Sequence, residues 1–401
     1  MPQINKLVPH SVVPDRSLTR LRVIITAFFA LDGFVFAGWV VRIPAIKHQT
    51  GASAGALGLA LLGVSAGAVI TMMLTGRLCR RFGSHQVTVV CGVVLSLSIV
   101  LPPLAGSVPI LGLFLLVFGV GYGGINVAMN SAAVDLVAAL RRPVMPGFHA
   151  AYSLGGMFGA GLGGLVAGHL SPTRHLLGIA VIGLLVTGVA GRALLREDAP
   201  VSPDRPRDDA PEWGRTLVDA RTRGLVLVFG LIALCSSYGE GALADWGALH
   251  LQQDLETHPG TAAAGYSCFA LAMTIGRLSG TALLERLGRT RTLILGGTTA
   301  SLGMLLGALA PSLWLALVGF AVTGLGLANN FPVAVDRAGA LAGASGVAVA
   351  STLGYGGLLL GPPAIGFMAD WYSLPTALTS VAALAAAAAL IGFATRRAAV
   401  G

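Results

Sequence analysis

Twelve apolar stretches, each long enough to cross a bilayer as a helix, occupy almost the whole of this chain. A spanning helix needs about 20 predominantly apolar residues. The stretches lie near 21–41, 54–76, 86–105, 108–134, 146–168, 175–195, 223–245, 262–284, 292–310, 312–334, 345–368 and 373–395. Lipid offers no partner to a free N–H or C=O, so such segments must close their own backbone bonds as helices. Breakers fall between them, at Pro102-Pro103, Ser171-Pro172, Pro311 and Leu374-Pro375. The chain is 55% hydrophobic and only 11% charged, whereas a soluble domain carries about a quarter of its residues as charges. A surface facing water could not be covered from this composition. The 56 glycines suit helices that pack closely in lipid.

Several function classes fall away at once. The net charge of +9 is scattered over short loops with no basic stripe and interleaved aromatics, so no nucleic-acid partner is expected. Cys79, Cys91, Cys235 and Cys268 lie in or beside apolar segments without metal spacing and read as small buried hydrophobes. No phosphate-binding loop, paired metal ligands or G-x-S-x-G elbow is present, so no cofactor, ATP-driven pump or hydrolase is expected. The polar start through Arg20 leads into a full-length span rather than a short leader core, so the first helix is expected to be retained.

Charge sets an expected orientation. Of the 26 Lys and Arg residues, only Arg42, Lys47 and Arg174 fall on the outer side when alternate loops are assigned to alternate faces, and Arg277 lies inside a helix. The positive-inside rule then puts both termini in the cytoplasm, as an even number of spans requires. The expectation is a multi-pass protein of a bacterial plasma membrane. The one long polar segment, 197–222, contains Asp204-Arg205-Pro206-Arg207-Asp208-Asp209 and divides the chain nearly in half. It reads as a cytoplasmic linker, with a short surface helix from Trp213 to Ala220. The expected organisation is a tail (1–20), a six-helix bundle (21–196), the linker (197–222), a second bundle (223–396) and a tail (397–401).

The two halves repeat each other in order. Ala37-Gly38-Trp39 matches Ala244-Asp245-Trp246, and Arg81-Phe82-Gly83 matches Arg286-Leu287-Gly288. Ala133-Val134-Asp135 matches Ala334-Val335-Asp336, and Ser153-Leu154-Gly155 matches Thr352-Leu353-Gly354. Each match is weak, but a duplicated six-helix unit predicts their collinearity. The fold class expected is an all-α integral membrane protein: twelve transmembrane helices in two pseudo-symmetric six-helix bundles.

This organisation resembles the major facilitator superfamily over essentially the whole chain. Its marker between the second and third helices, G-x-L-x-D-R-x-G-R-[RK], reads here Gly76-Arg77-Leu78-Cys79-Arg80-Arg81-Phe82-Gly83-Ser84-His85, with Arg80 at the acidic position. The second half keeps an acid at Glu285, before Arg286-Leu287-Gly288-Arg289, but lacks the first glycine. In the family this acid helps latch the bundles at the inner face; the resemblance therefore implies gating roles for Arg81, Glu285 and Arg286, with Glu285 carrying a latch alone. The segments Gly121–Asn130, Arg142–His149, Glu240–Trp246 and Asn329-Asn330-Phe331-Pro332 look like the YbjJ-type branch, which is similar to the fucose-permease group of proton–sugar symporters.

Asp32 is the sharpest candidate for chemistry. It lies ten residues past Arg22, about 15 Å deep and near the bilayer midplane. An ionised carboxylate there costs at least roughly 2.5–3.5 kcal/mol, so proton uptake and release can follow access from either side. Coupling, substrate hydrogen bonding and a helix-bonding role are the three readings, and the resemblance to a group with an acid in its first helix supports coupling. Alignment of Trp246 with Trp39 brings Glu240 near the midplane as a second coupling acid, with Asp245 as an outer-rim gate. For Arg277, pairing with Glu240 or a substrate anion stands beside snorkelling to the interface. Asn126, Asn130, Asn329 and Asn330 offer amide donors and acceptors to a solute or to neighbouring helices, and Tyr122 shares the first pair's helix. His149 could bond Asp135 as an inner gate or cap the chain after Pro146. Trp39 and Trp246 read as interface anchors or as ligands for a sugar ring. Helix five carries the stripe Gly155-x-x-x-Gly159-x-x-x-Gly163 for close packing. Gly159–Gly164 resembles the superfamily's antiporter motif, with Ala160 in place of proline.

These residues imply a monomeric, proton-coupled secondary transporter of a small polar organic solute, with symport preferred. Proton-driven efflux of a drug-like compound or secondary metabolite is the alternative, and a non-transporting membrane sensor on the same fold is a third class.

Overall fold

The computed structural model describes residues 16–140, 144–197 and 220–396. Lys6, Arg141, Arg142, Arg397 and nearly all of the 197–222 linker, including the surface helix expected from Trp213 to Ala220 except its last residue, lie outside them. Thirteen α-helices follow in order: α1 (Arg16–Val40), α2 (Ile43–Thr50), α3 (Ala54–Phe82), α4 (Ser84–Ser98), α5 (Val108–Leu140), α6 (Met145–Ala167), α7 (Pro172–Leu194), α8 (Ala220–Gln253), α9 (Pro259–Leu278), α10 (Gly280–Leu309), α11 (Leu313–Leu327), α12 (Asn330–Trp371) and α13 (Leu374–Ala394). There is no strand among the described residues.

Eleven segments of the described chain are long and apolar enough to cross a membrane. The twelfth of the expected spans, 262–284, falls mostly on α9, which is 20 residues long and carries Arg277 in its last turn. Helix and span do not map one to one, because the helical path continues through two tight turns. In α10 the turn is at Gly288, with φ 76, a backbone conformation that costs glycine nothing. In α12 it is at Ala342 and Gly343, the latter with φ 58. The turns separate the eighth span from the ninth and the tenth from the eleventh. Helix α2 was not expected. Arg42 and Pro44 start it and Gly51, with φ 63, ends it, which is the usual proline-first, glycine-last pattern.

Large apolar side chains such as Met73 (72% exposed) and Leu165 (77%) point outward all round the bundle, as a lipid-facing surface requires. Inside each half, small residues let the backbones touch. A Cβ on Gly155 or Gly159 would strike the carbonyl oxygens of Ala30 and Phe34 on α1, and one on Gly33 would strike that of Tyr152 on α6. The expected glycine stripe therefore forms the α1–α6 joint.

Two seams join the halves, and they are pseudo-symmetric counterparts. Helix α3, second in its half, packs on the latter part of α12, fifth in the other; α6, fifth in its half, packs on α9, second in the other. Both seams are tight at one end of the bundle. There Gly58 abuts the Pro362 carbonyl, Gly366 that of Ala54, and Gly164 that of Gly260. The Asp370 carboxylate caps α3 across the first seam, accepting from Ser53 Oγ at 2.8 Å and from the N–H groups of Ala54 (2.9 Å) and Gly55 (2.8 Å). At this closed end Arg42 is also buried, donating to His175 Nδ1 at 2.8 Å and to the Ala167 carbonyl that ends α6 at 3.2 Å.

Candidate functional site

Away from the seams' closed end the halves part around a cavity of about 830 Å³. The first half contributes Phe36 from α1, Tyr122 from α5, and His149 and Tyr152 from α6; the second contributes Glu240 from α8, Tyr266 and Arg277 from α9, Asn329, and Phe331, Tyr355 and Asp336 from α12. Asp336 is 55% exposed and pairs with Arg289 at 2.8 Å, so the cavity reaches solvent at the end opposite Asp370.

Two discontinuities shape its wall. Helix α11 gives way to α12 at Asn329, and α9 to α10 at Ser279. Asn329 Nδ2 donates to the Gly276 carbonyl at 2.9 Å, and Ser279 Oγ donates to the same oxygen at 3.0 Å. The carbonyl beside the break is thus satisfied, as backbone at membrane depth must be, and Asn329 is partly spent on holding it. Irregular helices that line a central cavity are where transporters of this general design bind their cargo.

The polar groups form two sets. In the first, one terminal nitrogen of Arg277 donates to both oxygens of Glu240, at 3.3 and 3.2 Å. Both side chains stay about a third exposed, at 33% and 39%. His149 lies within electrostatic reach of the pair and meets the Phe29 ring edge-on. In the second set, the hydroxyls of Tyr122 and Tyr152 bond at 3.0 Å, and Tyr122 stacks on Phe36 with ring centres 4.9 Å apart. Asp32 lies behind these tyrosines, 0% exposed, with neither oxygen in a well-formed hydrogen bond. Asn126 is the amide that faces it. A buried carboxyl without a well-formed hydrogen bond is costly when ionised, and Tyr122 and Tyr152 stand within electrostatic reach of it.

The structure redistributes several residues singled out from sequence. Glu240, Arg277, Tyr122, His149 and Asn329 meet in the cavity, and Arg277 pairs with Glu240 rather than reaching for the interface. His149 does not bond Asp135: Asp135 is buried on the side of His85, because α5 and α6 turn these residues to different faces. Asn330 is 1% exposed and points at Gly296 of α10, away from the cavity. Asn130 Nδ2 is spent on the Asn126 carbonyl at 2.7 Å. Trp39 and Trp246, at 1% and 0% exposure, are neither interface anchors nor cavity ligands; both are core, Trp39 beside Phe118. Asp245 is half-buried next to Ala244, and its counterpart on the wall is Glu240. At the open end Arg81 lies over the Phe82 ring, while Glu285 and Arg286 are exposed. Asp336 pairs with Arg289 at this end, and no ion pair of Glu285 is found among the described residues.

Phe36, Tyr266, Phe331 and Tyr355 were missed. An aromatic in an apolar helix looks like lipid-facing surface until helix packing shows where it points.

A helical membrane bundle in two related halves, with a polar cavity between them sealed at one end and open at the other, is the architecture of a transporter. The chain belongs to the Major Facilitator Superfamily: the family model matches residues 23–246 and again 229–400. An uncharacterized MFS-type transporter of Yersinia pestis is 34% identical over 362 residues, 89% of this chain and 91% of that one. In fold, the chain is similar to a bacterial homolog of the human lysosomal transporter Spinster in an inward-facing, unoccupied conformation (TM-score 0.77, 15% identity, 96% and 98% of the two chains). It is also similar to a D-xylose-proton symporter (TM-score 0.74, 13% identity, 94% and 97%). These relatives and neighbours are transporters, not enzymes.

Proposed function

We propose that this protein is a proton-coupled secondary transporter that carries a small polar organic solute by alternating access, as a symporter. One observation carries the reading: Asp32 is wholly buried at membrane depth, with neither oxygen in a well-formed hydrogen bond, behind the tyrosines of a cavity open at one end. A charged carboxyl is costly in such a place, so exchange of its proton is tied to the opening and closing of the halves. The open end carries Arg81, Arg286, Arg289 and Arg291, so the positive-inside rule makes it cytoplasmic and the state inward-facing. The two bundles, 21–196 and 223–396, then move about the seams with the 197–222 linker in the cytoplasm of a bacterium. The sequence likeness to the YbjJ-type branch and the fold likeness to a D-xylose-proton symporter favour a solute of sugar-like size.

The test is transport in proteoliposomes under an imposed pH difference, with the solute found by thermal-shift screening of sugars, polyols and vitamins. Asp32→Asn should still bind and exchange solute across a membrane loaded on both sides, but should not accumulate it. Accumulation lost only in Glu240→Gln would move the coupling acid to α8. Accumulation in both variants would remove the carboxylate mechanism.

A further inference from the structure

We propose that the transported solute carries a carboxylate, that Arg277 is its receptor, and that Glu240 holds the receptor's place until the solute arrives. The proposal rests on the transporter reading and deepens it by naming the charge class of the cargo.

The argument begins with unspent donors. A guanidinium has five N–H groups in a planar fork suited to a carboxylate. Arg277 uses one terminal nitrogen on both Glu240 oxygens and makes no other hydrogen bond within the described residues. Its Nε and Nη1 are left over in a cavity also lined by Tyr266 and Tyr355, whose hydroxyls make no hydrogen bond among the described residues. The unspent groups are thus mainly donors, and the rings of Phe36 and Phe331 supply apolar walls for a carbon skeleton.

The choice between an acid and an amine turns on what each would leave behind. An amine bound to Glu240 would displace Arg277, whose guanidinium cannot lose its charge, leaving an unpaired cation at membrane depth. That is a costly outcome. A carboxylate bound to Arg277 displaces Glu240 from it, and Glu240, 39% exposed, turns to the water of the open cavity. The exchange at Arg277 is like for like: one carboxylate replaces another against the guanidinium. The groups facing Glu240 permit it. Arg277 and Tyr266 come from α9, His149 from α6 and Tyr122 from α5, with Tyr355 on α12 across the cavity. None is an acid. A single cation suits a singly charged carboxylate rather than a phosphate dianion.

Two matched trios test the charge class apart from the carbon skeleton: D-glucuronate, D-glucose and D-glucosamine, and benzoate, benzyl alcohol and benzylamine. Each is titrated by thermal shift against purified wild type, Glu240→Gln and Arg277→Lys. The carboxylate of at least one trio should bind Glu240→Gln about tenfold or more tightly than wild type, and ahead of its neutral and amine partners. Arg277→Lys keeps the charge but not the fork, and should weaken the carboxylate about tenfold while leaving the neutral member within about twofold. It also serves as the variant of record if Glu240→Gln does not fold. Preference for the neutral or amine members, equal carboxylate affinity in all three proteins, or no carboxylate binding overturns the proposal. A neutral solute that is bound and accumulated would overturn the carboxylate while leaving the transporter standing.

Discussion

Removing the Asp370 carboxylate should tip the protein toward its other access state. The carboxylate takes three hydrogen bonds from the first turn of α3, all across the seam between the halves. These bonds exist only while this end is shut, since opening it parts α3 from α12. A capping side chain is worth about 0.5–2 kcal/mol, and hydrogen bonds to a charged group about 1.5–3 kcal/mol each. Asp370 is exposed, so water screens and competes, and the net is discounted to about 1–3 kcal/mol. Ser53 also caps its own helix through the Ala56 N–H, and that bond survives opening. Asp370→Ala should therefore raise the population open at this end by about five- to 150-fold relative to wild type. Spin labels at His48→Cys and Gln253→Cys, which face each other across the closed end, with the four native cysteines replaced, report the distance between halves. Asp370→Ala should lengthen the distribution and Asp370→Asn, which keeps an acceptor, should do so less. A folded Asp370→Ala whose distances superimpose on the parent would refute the clasp.

Two further outcomes are expected. Gly159→Val should lower the thermal midpoint sharply, since its Cβ would strike the Phe34 carbonyl and overpacking costs about 1–3 kcal/mol or more; Gly161→Val, two residues away with open space around it, should leave the melt of purified protein unchanged. In intact cells, an impermeant thiol reagent should label Arg174→Cys and miss Arg207→Cys, a pattern whose reversal would invert the orientation.

The fold was legible because its signals are additive along the chain: apolar runs, breakers and collinear repeats need no knowledge of packing. What escaped were features fixed by contact. Helix α2 carries Lys47, His48 and Gln49 and so looks like loop, yet Gln49 anchors it by donating to the Pro103 carbonyl at 2.8 Å. The acids and arginine of the site stood out because charge is rare in such a chain, and Glu240 with Arg277 proved to be partners. Amides and aromatics gave no comparable contrast. Asn329 and Asn330 are adjacent, yet one lines the cavity and the other faces α10, a difference set by the helix break between them. Of the two readings of His149, the bond to Asp135 rests on level alone, and level says nothing about which face a side chain takes.

The joint between α1 and α6 narrows where this transporter can be retuned by mutation. Its contacts at Gly33, Gly155 and Gly159 are made by main-chain atoms, so no side chain there can be exchanged for a slightly different one. A substitution either wedges the helices apart or is not tolerated, and the buried carboxyl beside the joint is inherited with it as a fixed part. The cavity's lining is freer: Glu240, Arg277, Phe331 and Tyr355 on one wall, like His149 on the other, present side chains that can vary one at a time. The joint holds the first and fifth helices of this half as one piece, while the surface of the cavity is left open to change.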